Sequence, residues 1–206
     1  SWEFAENLLR DVLKKRESPF YEGPGEAAFY GPKIDVQMKN FAGKEDTAFT
    51  VQYDFVMPKM FNLVYVDKDG LKKEAVVIHR SSIGAIERVM AFLIEKYAGA
   101  FPVWLSPVQA WVIPIGSQHA KYAKEVADNL KESGIRCELK DENDTVSKKI
   151  REGEIEKIPY LLVVGDKEIQ AKAVAVRERG KGNIGMASLE KFREKVIMEI
   201  KDKKSK

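Results

Sequence analysis

The clearest change in the spacing of apolar and polar positions lies between Val76 and Tyr97. The stretch starts with an apolar β-branched run at 76–78, which indicates a strand, and a polar turn follows at 79–82. Beyond the turn, apolar side chains recur every three or four residues, which predicts a helix with one apolar stripe. The stripe consists of Ile83, Ile86, Met90, Leu93, Ile94 and Tyr97. The stretch is therefore predicted to fold as strand, turn and helix.

Gly84 and Arg88 are four residues apart, so on this helix they would share a face roughly opposite the apolar stripe. Because glycine has no side chain, this face would let a flat ligand or a neighbouring backbone come close. A guanidinium beside that gap can stack on a ring or bind a phosphate through two N–H groups. From spacing alone, an arginine on a solvated helix face beside Glu87 is the commoner outcome, and both interpretations stay open.

The residues before this stretch are predicted to form one helix and two strands. Apolar positions at helical spacing over 2–13 predict an amphipathic packing helix. Alternation predicts a strand that starts at the turn 31–32 and a second strand over 47–57. Gln52 and Asp54 lie on one face of the second strand and reach into the same space. A solvated outer face is the commoner outcome for such a pattern.

A hairpin is predicted from the runs 63–66 and 75–78, which flank the Asp-Gly turn at 67–70. It leads directly to His79. A lone histidine at a strand end is more often a hydrogen-bonded structural residue than a metal ligand, because a zinc site needs three or four ligands. The other His and the sole Cys of the chain, His119 and Cys137, both lie in the second half. The chain is therefore not expected to complete a zinc site from its own residues.

The second half is predicted to alternate strands and helices into a mixed sheet with helices on both faces. In the order strand, helix, strand, helix, strand, strand, helix, the ranges are 108–115, 118–133, 135–139, 143–157, 159–165, 172–177 and 189–200. The first strand-to-helix turn contains Gly116-Ser117. This turn carries neither the G-x-G-x-x-G nor the Walker A pattern, which argues against a nucleotide site there.

Composition and charge limit the class of protein. With 206 residues, of which 44% are hydrophobic, the chain can fill one large core or two small ones, and no apolar run would span a membrane. A single cysteine excludes an internal disulfide and favours a reducing, cytoplasmic location. The net charge of +3 is too small to indicate nucleic-acid binding. Residues 1–106 carry 14 basic and 15 acidic side chains and residues 107–206 carry 21 and 17, so the second half would attract a polyanion.

The segment I-H-R-S-S-I-G-A-I-E-R at 78–88 resembles motif 3 of the class II aminoacyl-tRNA synthetases, in the form of the threonyl family. Four further segments resemble that family in the same order along the chain: G-E-A-A-F-Y-G-P-K at 25–33, T-V-Q-Y-D-F at 50–55, A-G-A-F-P-V-W-L at 98–105 and P-Y-L-L-V-V-G-D-K-E at 159–168. The resemblance implies an α/β (α+β) fold in two domains. Residues 1–106 would form the C-terminal part of a class II catalytic domain with an antiparallel sheet, and residues 107–206 a mixed-sheet anticodon-binding domain.

The resemblance also implies roles for individual residues. Arg88, Lys33 and Gln52 would be catalytic, and ATP or substrate would be bound by Tyr30, Gln52, Gly84 and Arg88. His79 would be one of three ligands of a Zn²⁺ ion that recognises the amino acid, with the other two ligands expected upstream of this chain. The anticodon would be contacted by Asn143, Arg151, Glu168 and Arg177. Without the resemblance, charged groups in such positions are usually only solvated.

The implied activity is that of a threonine–tRNA ligase, which uses ATP and Mg²⁺ to activate threonine, transfers it to tRNA(Thr) and is a homodimer at full length. Nothing in the chain resembles motifs 1 and 2, so we expect a fragment that is inactive alone. Thr47-Ala48-Phe49 replaces the family's Gln-Cys-Gly, and Ala85 replaces a serine. These departures mildly favour the alternative of a non-catalytic RNA-binding or regulatory module. A prolyl or glycyl synthetase is a further alternative, against which F-Y-G-P-K and I-H-R argue.

Overall fold

The computed structural model describes residues 2–203, and the chain divides into two compact units, Ser1–Glu95 and Lys96–Lys206. Strands β1, β2 and β5 of the first unit form an antiparallel sheet in the order β1-β2-β5, and β3 and β4 form a separate hairpin. The strands are β1 (Lys33–Lys39), β2 (Glu45–Asp54), β3 (Val64–Val66), β4 (Lys72–Glu74) and β5 (Val77–Arg80). The helices are α1 (Trp2–Lys15), α2 (Met57–Met60) and α3 (Ile86–Tyr97), which ends just beyond the division.

The predicted hairpin is present, but its second strand lies earlier in the chain than predicted. Strand β3 pairs with Lys72–Glu74 and not with residues 75–78. The residues of β4 are charged and exposed, and Lys73 forms ion pairs with two aspartates of the turn. Because β4 has no apolar alternation, the sequence pattern does not mark it. Val77 and Ile78 of the apolar run expected there belong instead to β5, which pairs with β2.

Most of the apolar stripe predicted for α3 is exposed. Helix α3 begins at Ile86, so Gly84 precedes it and does not share a helical face with Arg88. Ile86 and Met90 are 63% and 55% exposed, whereas Phe92 is only 8% exposed. In α1, likewise, the buried residue of the predicted packing face is Ala5. Apolar spacing therefore identifies both helices but not the face that this chain covers.

The second unit contains a five-stranded mixed sheet in the order β10-β9-β8-β6-β7. Strand β6 runs parallel to β7 and β8, and β9 runs antiparallel to β8 and β10, which confirms the predicted mixed sheet. The strands are β6 (Ala110–Pro114), β7 (Cys137–Leu139), β8 (Tyr160–Val164), β9 (Ala173–Glu178) and β10 (Gly182–Ser188). The helices are α4 (Ala120–Glu132), α5 (Val146–Ile155), α6 (Asp166–Ala171) and α7 (Leu189–Lys201), and a 3₁₀ turn, Ser117–His119, precedes α4.

Successive residues of the central strands pack on opposite faces of this sheet. Val112 and Leu162 face α4 and α7, whereas Trp111 and Leu161 face α5. Helices therefore cover both faces, as predicted. The predicted order lacks α6, which has no buried residue, and β10, whose alternation is interrupted by a register shift beyond Asn183. Among residues 2–203, no helix has the length and apolar character needed to cross a membrane.

Residues 98–106, called the connector below, are held by side chains of the second unit. Arg179, which directly follows β9, donates hydrogen bonds to the carbonyl oxygens of Ala100 and Phe101 at 3.1 and 2.6 Å. Arg136, which precedes β7, donates to two further carbonyl oxygens of the connector at 2.8–3.0 Å. The connector therefore folds as part of the second unit.

Candidate functional site

Strand β2 organises the candidate site of the first unit. Its Gln52 is the register partner of Lys33 on β1 and of His79 on β5. Tyr30, just ahead of β1, donates a hydrogen bond from its hydroxyl to Oε1 of Gln52 at 2.8 Å. The rings of Tyr30 and His79 lie 5.8 Å apart between centroids. The fold thus brings four of the predicted site residues together.

The contact with Tyr30 determines which end of the Gln52 amide is available. Oε1 of Gln52 accepts the hydrogen bond from Tyr30, and the amide nitrogen has no partner within residues 2–203. An amide nitrogen carries two N–H donors. Gln52 therefore offers two donors to the acceptor oxygens of a ligand.

Asp54, two residues beyond Gln52 on β2, is fully buried and holds His79 in place. Its Oδ2 lies 2.8 Å from Nε2 of His79, and its Oδ1 accepts from the backbone N–H groups of Val56 and Met57. Burial alone would raise the pKa of Asp54, but the hydrogen bonds from His79 and from the two backbone groups outweigh it and lower the pKa. The ionised carboxylate fixes the imidazole and leaves Nδ1 for another partner.

The surroundings of His79 suit a metal ligand. Metal-binding histidines commonly contact a carboxylate through the ring nitrogen that does not bind the metal. The side chain of His79 is 49% exposed, so that a metal can reach Nδ1. Within residues 2–203, no group of three or more His, Cys, Asp or Glu side chains could hold a metal ion. His79 can therefore supply one ligand, and the described chain does not supply the rest.

Lys33 is held by a carboxylate of its own strand. Its ammonium lies 2.6 Å from Oδ2 of Asp35, and Oδ1 of Asp35 accepts a hydrogen bond from the hydroxyl of Thr50 at 2.6 Å. The side chains of Lys33 and Asp35 are 26% and 15% exposed, so solvent screens this ion pair only in part. A phosphate that binds Lys33 would have to compete with Asp35.

Gly84 and Arg88 lie at the other end of β2. Gly84 has φ of +69°, and a Cβ atom there would lie 2.1 Å from the carbonyl oxygen of Ala48. A glycine permits the close approach of either a flat ligand or a neighbouring backbone, and at Gly84 it is the backbone of Ala48 that lies close. The exposed guanidinium of Arg88 donates from Nη1 to the carbonyl oxygen of Thr47. Since a guanidinium has five donors, most of the Arg88 donors stay available.

The two groups of predicted residues are separated along β2. Thr47 and Gln52 are five residues apart, which corresponds to roughly 16 Å on an extended strand. Arg88 is therefore outside hydrogen-bond reach of the cluster around Gln52. A ligand that contacts both groups must extend along most of the strand.

Two of the predicted anticodon residues follow parallel strands of the second unit. Glu168 lies in α6, directly after β8, and its Oε2 accepts a hydrogen bond from the N–H of Gly165 at 2.9 Å. Asn143 follows β7 and is exposed. Because β7 and β8 are both parallel to β6, Glu168 and Asn143 lie towards the same end of the sheet.

The other two predicted anticodon residues lie farther from that end. Arg177 on β9 is the register partner of Leu161, near the start of β8, and donates to Glu154 of α5 at 3.2 Å. Arg151 is exposed on α5. Leu161 and Gly165 are four positions apart, which corresponds to roughly 13 Å of strand. The backbone of Arg177 is therefore well removed along the sheet from the end at which Glu168 and Asn143 lie.

Sequence reasoning gave no role to Asp54 and Asp35. Each lies two residues from a predicted site residue on the same strand, and this spacing is the signal that could have identified them. The interpretation of the polar face of β2 as a solvated outer face is wrong at Asp54, which is fully buried.

Two family models match the chain, one on each side of its division. The tRNA synthetase class II core domain (G, H, P, S and T) matches residues 3–97, and the anticodon binding domain matches residues 109–199. The threonine–tRNA ligases of Carboxydothermus hydrogenoformans and Clostridium perfringens are 48% and 46% identical to 98% and 100% of the chain. The chain spans 32% of the length of each of these relatives.

A solved structure is similar over almost the whole chain. The crystal structure of the RNA binding domain of threonyl-tRNA synthetase from Cryptosporidium parvum matches with a TM-score of 0.87 and 35% identity. The match covers 96% of this chain and 50% of that one. Sequence and fold therefore indicate the same relatives.

Proposed function

Since the chain belongs to the threonyl branch of the class II aminoacyl-tRNA synthetases, we propose that it is part of a threonine–tRNA ligase. The observation that carries the proposal is the match of each unit to one of the two family models. Threonine and ATP would give threonyl-adenylate and pyrophosphate. The 3′-terminal ribose of tRNA(Thr) would then take the threonyl group and release AMP. We assign residues 1–106 to the catalytic domain and residues 107–206 to the anticodon-binding domain.

The proposed chemistry relies on positioning and on neutralising phosphate charge, not on a protein nucleophile. Arg88, beside Gly84, would bind ATP, whose phosphates carry Mg²⁺. At the other end of β2, Gln52 would donate its two N–H groups to the adenylate. Tyr30 would keep the Gln52 amide in that orientation through its hydroxyl contact. Lys33 would release Asp35 when a phosphate or the tRNA end arrives.

His79 would hold Zn²⁺ through Nδ1, because Asp54 occupies Nε2 at 2.8 Å. The metal would act as a Lewis acid that recognises the amino acid. Its other two protein ligands would come from sequence outside this chain. Within this chain, the buried carboxylate of Asp54 would anchor the metal ligand, because it fixes the tautomer and the direction of the His79 imidazole. We further propose that the full-length enzyme is a homodimer.

The isolated chain is expected not to activate threonine. Nothing in it resembles motif 2, whose arginine binds the α-phosphate in the family. The charge of the α-phosphate would therefore stay uncompensated. ATP–pyrophosphate exchange with threonine should therefore show no turnover. Exchange above the background of an Arg88→Ala variant would contradict this expectation.

The anticodon-binding role can be tested with this chain. Asn143, Arg151, Glu168 and Arg177 would bond to unpaired bases, whose Watson–Crick edges are accessible in a loop. Glu168→Gln keeps an oxygen for Gly165 but replaces the second carboxylate oxygen with a donor. Because a hydrogen bond to a charged group contributes about 1.5–3 kcal/mol, the affinity for the tRNA(Thr) anticodon stem-loop should fall roughly ten- to a hundredfold. Glu190→Gln, on the exposed side of α7, is the matched control.

Equal losses in the two glutamate variants would mean that RNA binding follows surface charge alone. That result would contradict the assignment of Glu168. It would favour a chain that binds RNA without recognising the anticodon.

A further inference from the structure

A buried imidazole joins the ends of two parallel strands in the second unit. His119 is 3% exposed and lies at the start of α4, beyond β6. Its Nδ1 accepts a hydrogen bond from the N–H of Gly116 at 3.0 Å, so the proton is on Nε2. Nε2 donates to Oδ1 of Asp166, the first residue of α6, at 3.0 Å. The Asp166 side chain is 82% exposed, and this contact is what fixes it.

A residue of α4 contacts the chain just beyond the other end of α6, at the first residue of β9. The hydroxyl of Tyr122, one turn beyond His119, donates to the carbonyl oxygen of Ala173 at 3.0 Å, just after α6 ends. Burial, together with the nearby carboxylates of Glu125 and Glu168, raises the pKa of Tyr122, so the hydroxyl stays a donor at neutral pH. His119, which directly precedes α4, and Tyr122, within α4, therefore bracket a six-residue helix that buries none of its own residues.

Glu168 lies inside the bracketed segment. One of its carboxylate oxygens accepts from the N–H of Gly165, which leaves the other oxygen for a ligand. A short helix without a buried face has little packing to fix its orientation. The direction of the remaining oxygen of Glu168 therefore depends on the contacts at both ends of α6.

We propose that His119 and Tyr122 are positioning residues for anticodon recognition, which hold α6 so that Glu168 presents one oxygen to a base in a fixed direction. This inference rests on the proposed function. It assigns a role in recognition to two residues that are expected to make no contact with RNA themselves.

Two variants of His119 separate positioning from simple stability. His119→Asn keeps an acceptor where Nδ1 lies but has no group where Nε2 lies, so it loses Asp166. His119→Gln places an amide donor near the position of Nε2 and should restore that contact. The readout is selectivity, measured as the ratio of dissociation constants of the intact chain for the tRNA(Thr) anticodon stem-loop and for one with a substituted anticodon. Loss of a single hydrogen bond should lower this ratio about three- to tenfold in His119→Asn, and His119→Gln should restore most of it.

The control is Val126→Ala on the same helix, which removes buried apolar contacts and none of these hydrogen bonds. It should lower the melting temperature without changing the selectivity ratio. Tyr122→Phe, which removes only the hydroxyl, should act like His119→Asn. If His119→Asn does not fold, Asp166→Ala gives the same test from the exposed side of the contact.

An unchanged ratio in His119→Asn and Tyr122→Phe, with selective binding by the unsubstituted chain, would overturn this inference and leave the proposed function intact. Equal binding of both stem-loops by the unsubstituted chain would overturn the proposed function and this inference with it.

Discussion

Replacing Arg179 with alanine is expected to release the connector and lower the free energy of unfolding of the second unit. The guanidinium donates to three carbonyl oxygens, those of Ala100, Phe101 and Lys157. One hydrogen bond from a charged donor contributes about 1.5–3 kcal/mol. The three bonds share one half-buried group and are not additive, so we expect a loss of about 2–4 kcal/mol. Arg179→Lys keeps the charge but lacks the planar fork, and should recover only part of the loss.

Urea unfolding and amide hydrogen exchange measure this effect. Exchange at Leu105 and Ser106, whose N–H groups both bind the carbonyl oxygen of Pro102, reports on the connector directly. Arg193→Ala is the matched control, because Arg193 makes one long hydrogen bond of 3.4 Å and should change stability by less than about 0.5 kcal/mol. Equal destabilisation by the Arg179 and Arg193 variants, with unchanged exchange in the connector, would refute the reasoning.

Three further predictions concern single contacts. Gly84→Ala should lower the melting temperature of the first unit much more than Gly43→Ala, because a Cβ at Gly84 meets the Ala48 carbonyl oxygen at 2.1 Å whereas Gly43 faces open space with a similar φ. Phe192→Ala should lower the free energy of unfolding of the second unit in urea by about 3–5 kcal/mol, as expected for a buried aromatic side chain. The lowered pKa of Asp54 means that its charge stabilises the fold above the ordinary aspartate pKa of about 3.9, and that this stabilisation is lost as the pH falls through the lowered value. Asp54→Asn should therefore be less stable than the unsubstituted chain near neutral pH, with a difference that shrinks in thermal melts below about pH 4.

The central strands of the second unit could be predicted from sequence because each is apolar on both sides. Val112 and Leu162 are fully buried, and on the other face of the sheet Trp111, Ile113 and Leu161 are at most 3% exposed. Strand β10 could not be predicted, because it is an edge strand with a register shift between Asn183 and Gly185. The alternation of apolar and polar residues marks a strand with one buried face. An edge strand with a bulge is mostly exposed and shows little of this alternation.

Helix α3 illustrates a second limit. Its apolar spacing is clear, yet Met90 and Ile94 are 55% and 50% exposed while Phe92 is buried. Periodicity determines which side chains share a face, but the neighbour that covers a face is a property of the tertiary structure. The same limit applies to α1.

The candidate site was predictable only in part from the pattern of residues. Alternation correctly placed Gln52 and Asp54 on one face of β2. Asp54 is buried and contacts His79, 25 residues later in the chain, and no local pattern contains that contact. The roles proposed for Lys33 and Arg88 come from the resemblance to a family, because charge at a strand start or on a helix is usually just solvated.

Recognition of the threonine anticodon by the second unit can be measured as a ratio of affinities. The intact chain would be titrated with the tRNA(Thr) anticodon stem-loop and with one whose anticodon is substituted, at low and at physiological salt. Phosphate contacts weaken with salt for both RNAs, whereas contacts to base edges do not depend on salt in the same way. We predict that the cognate stem-loop binds at least about tenfold more tightly at both salt concentrations. Equal affinities that decrease together as salt increases would contradict the assignment and leave only a mildly basic surface.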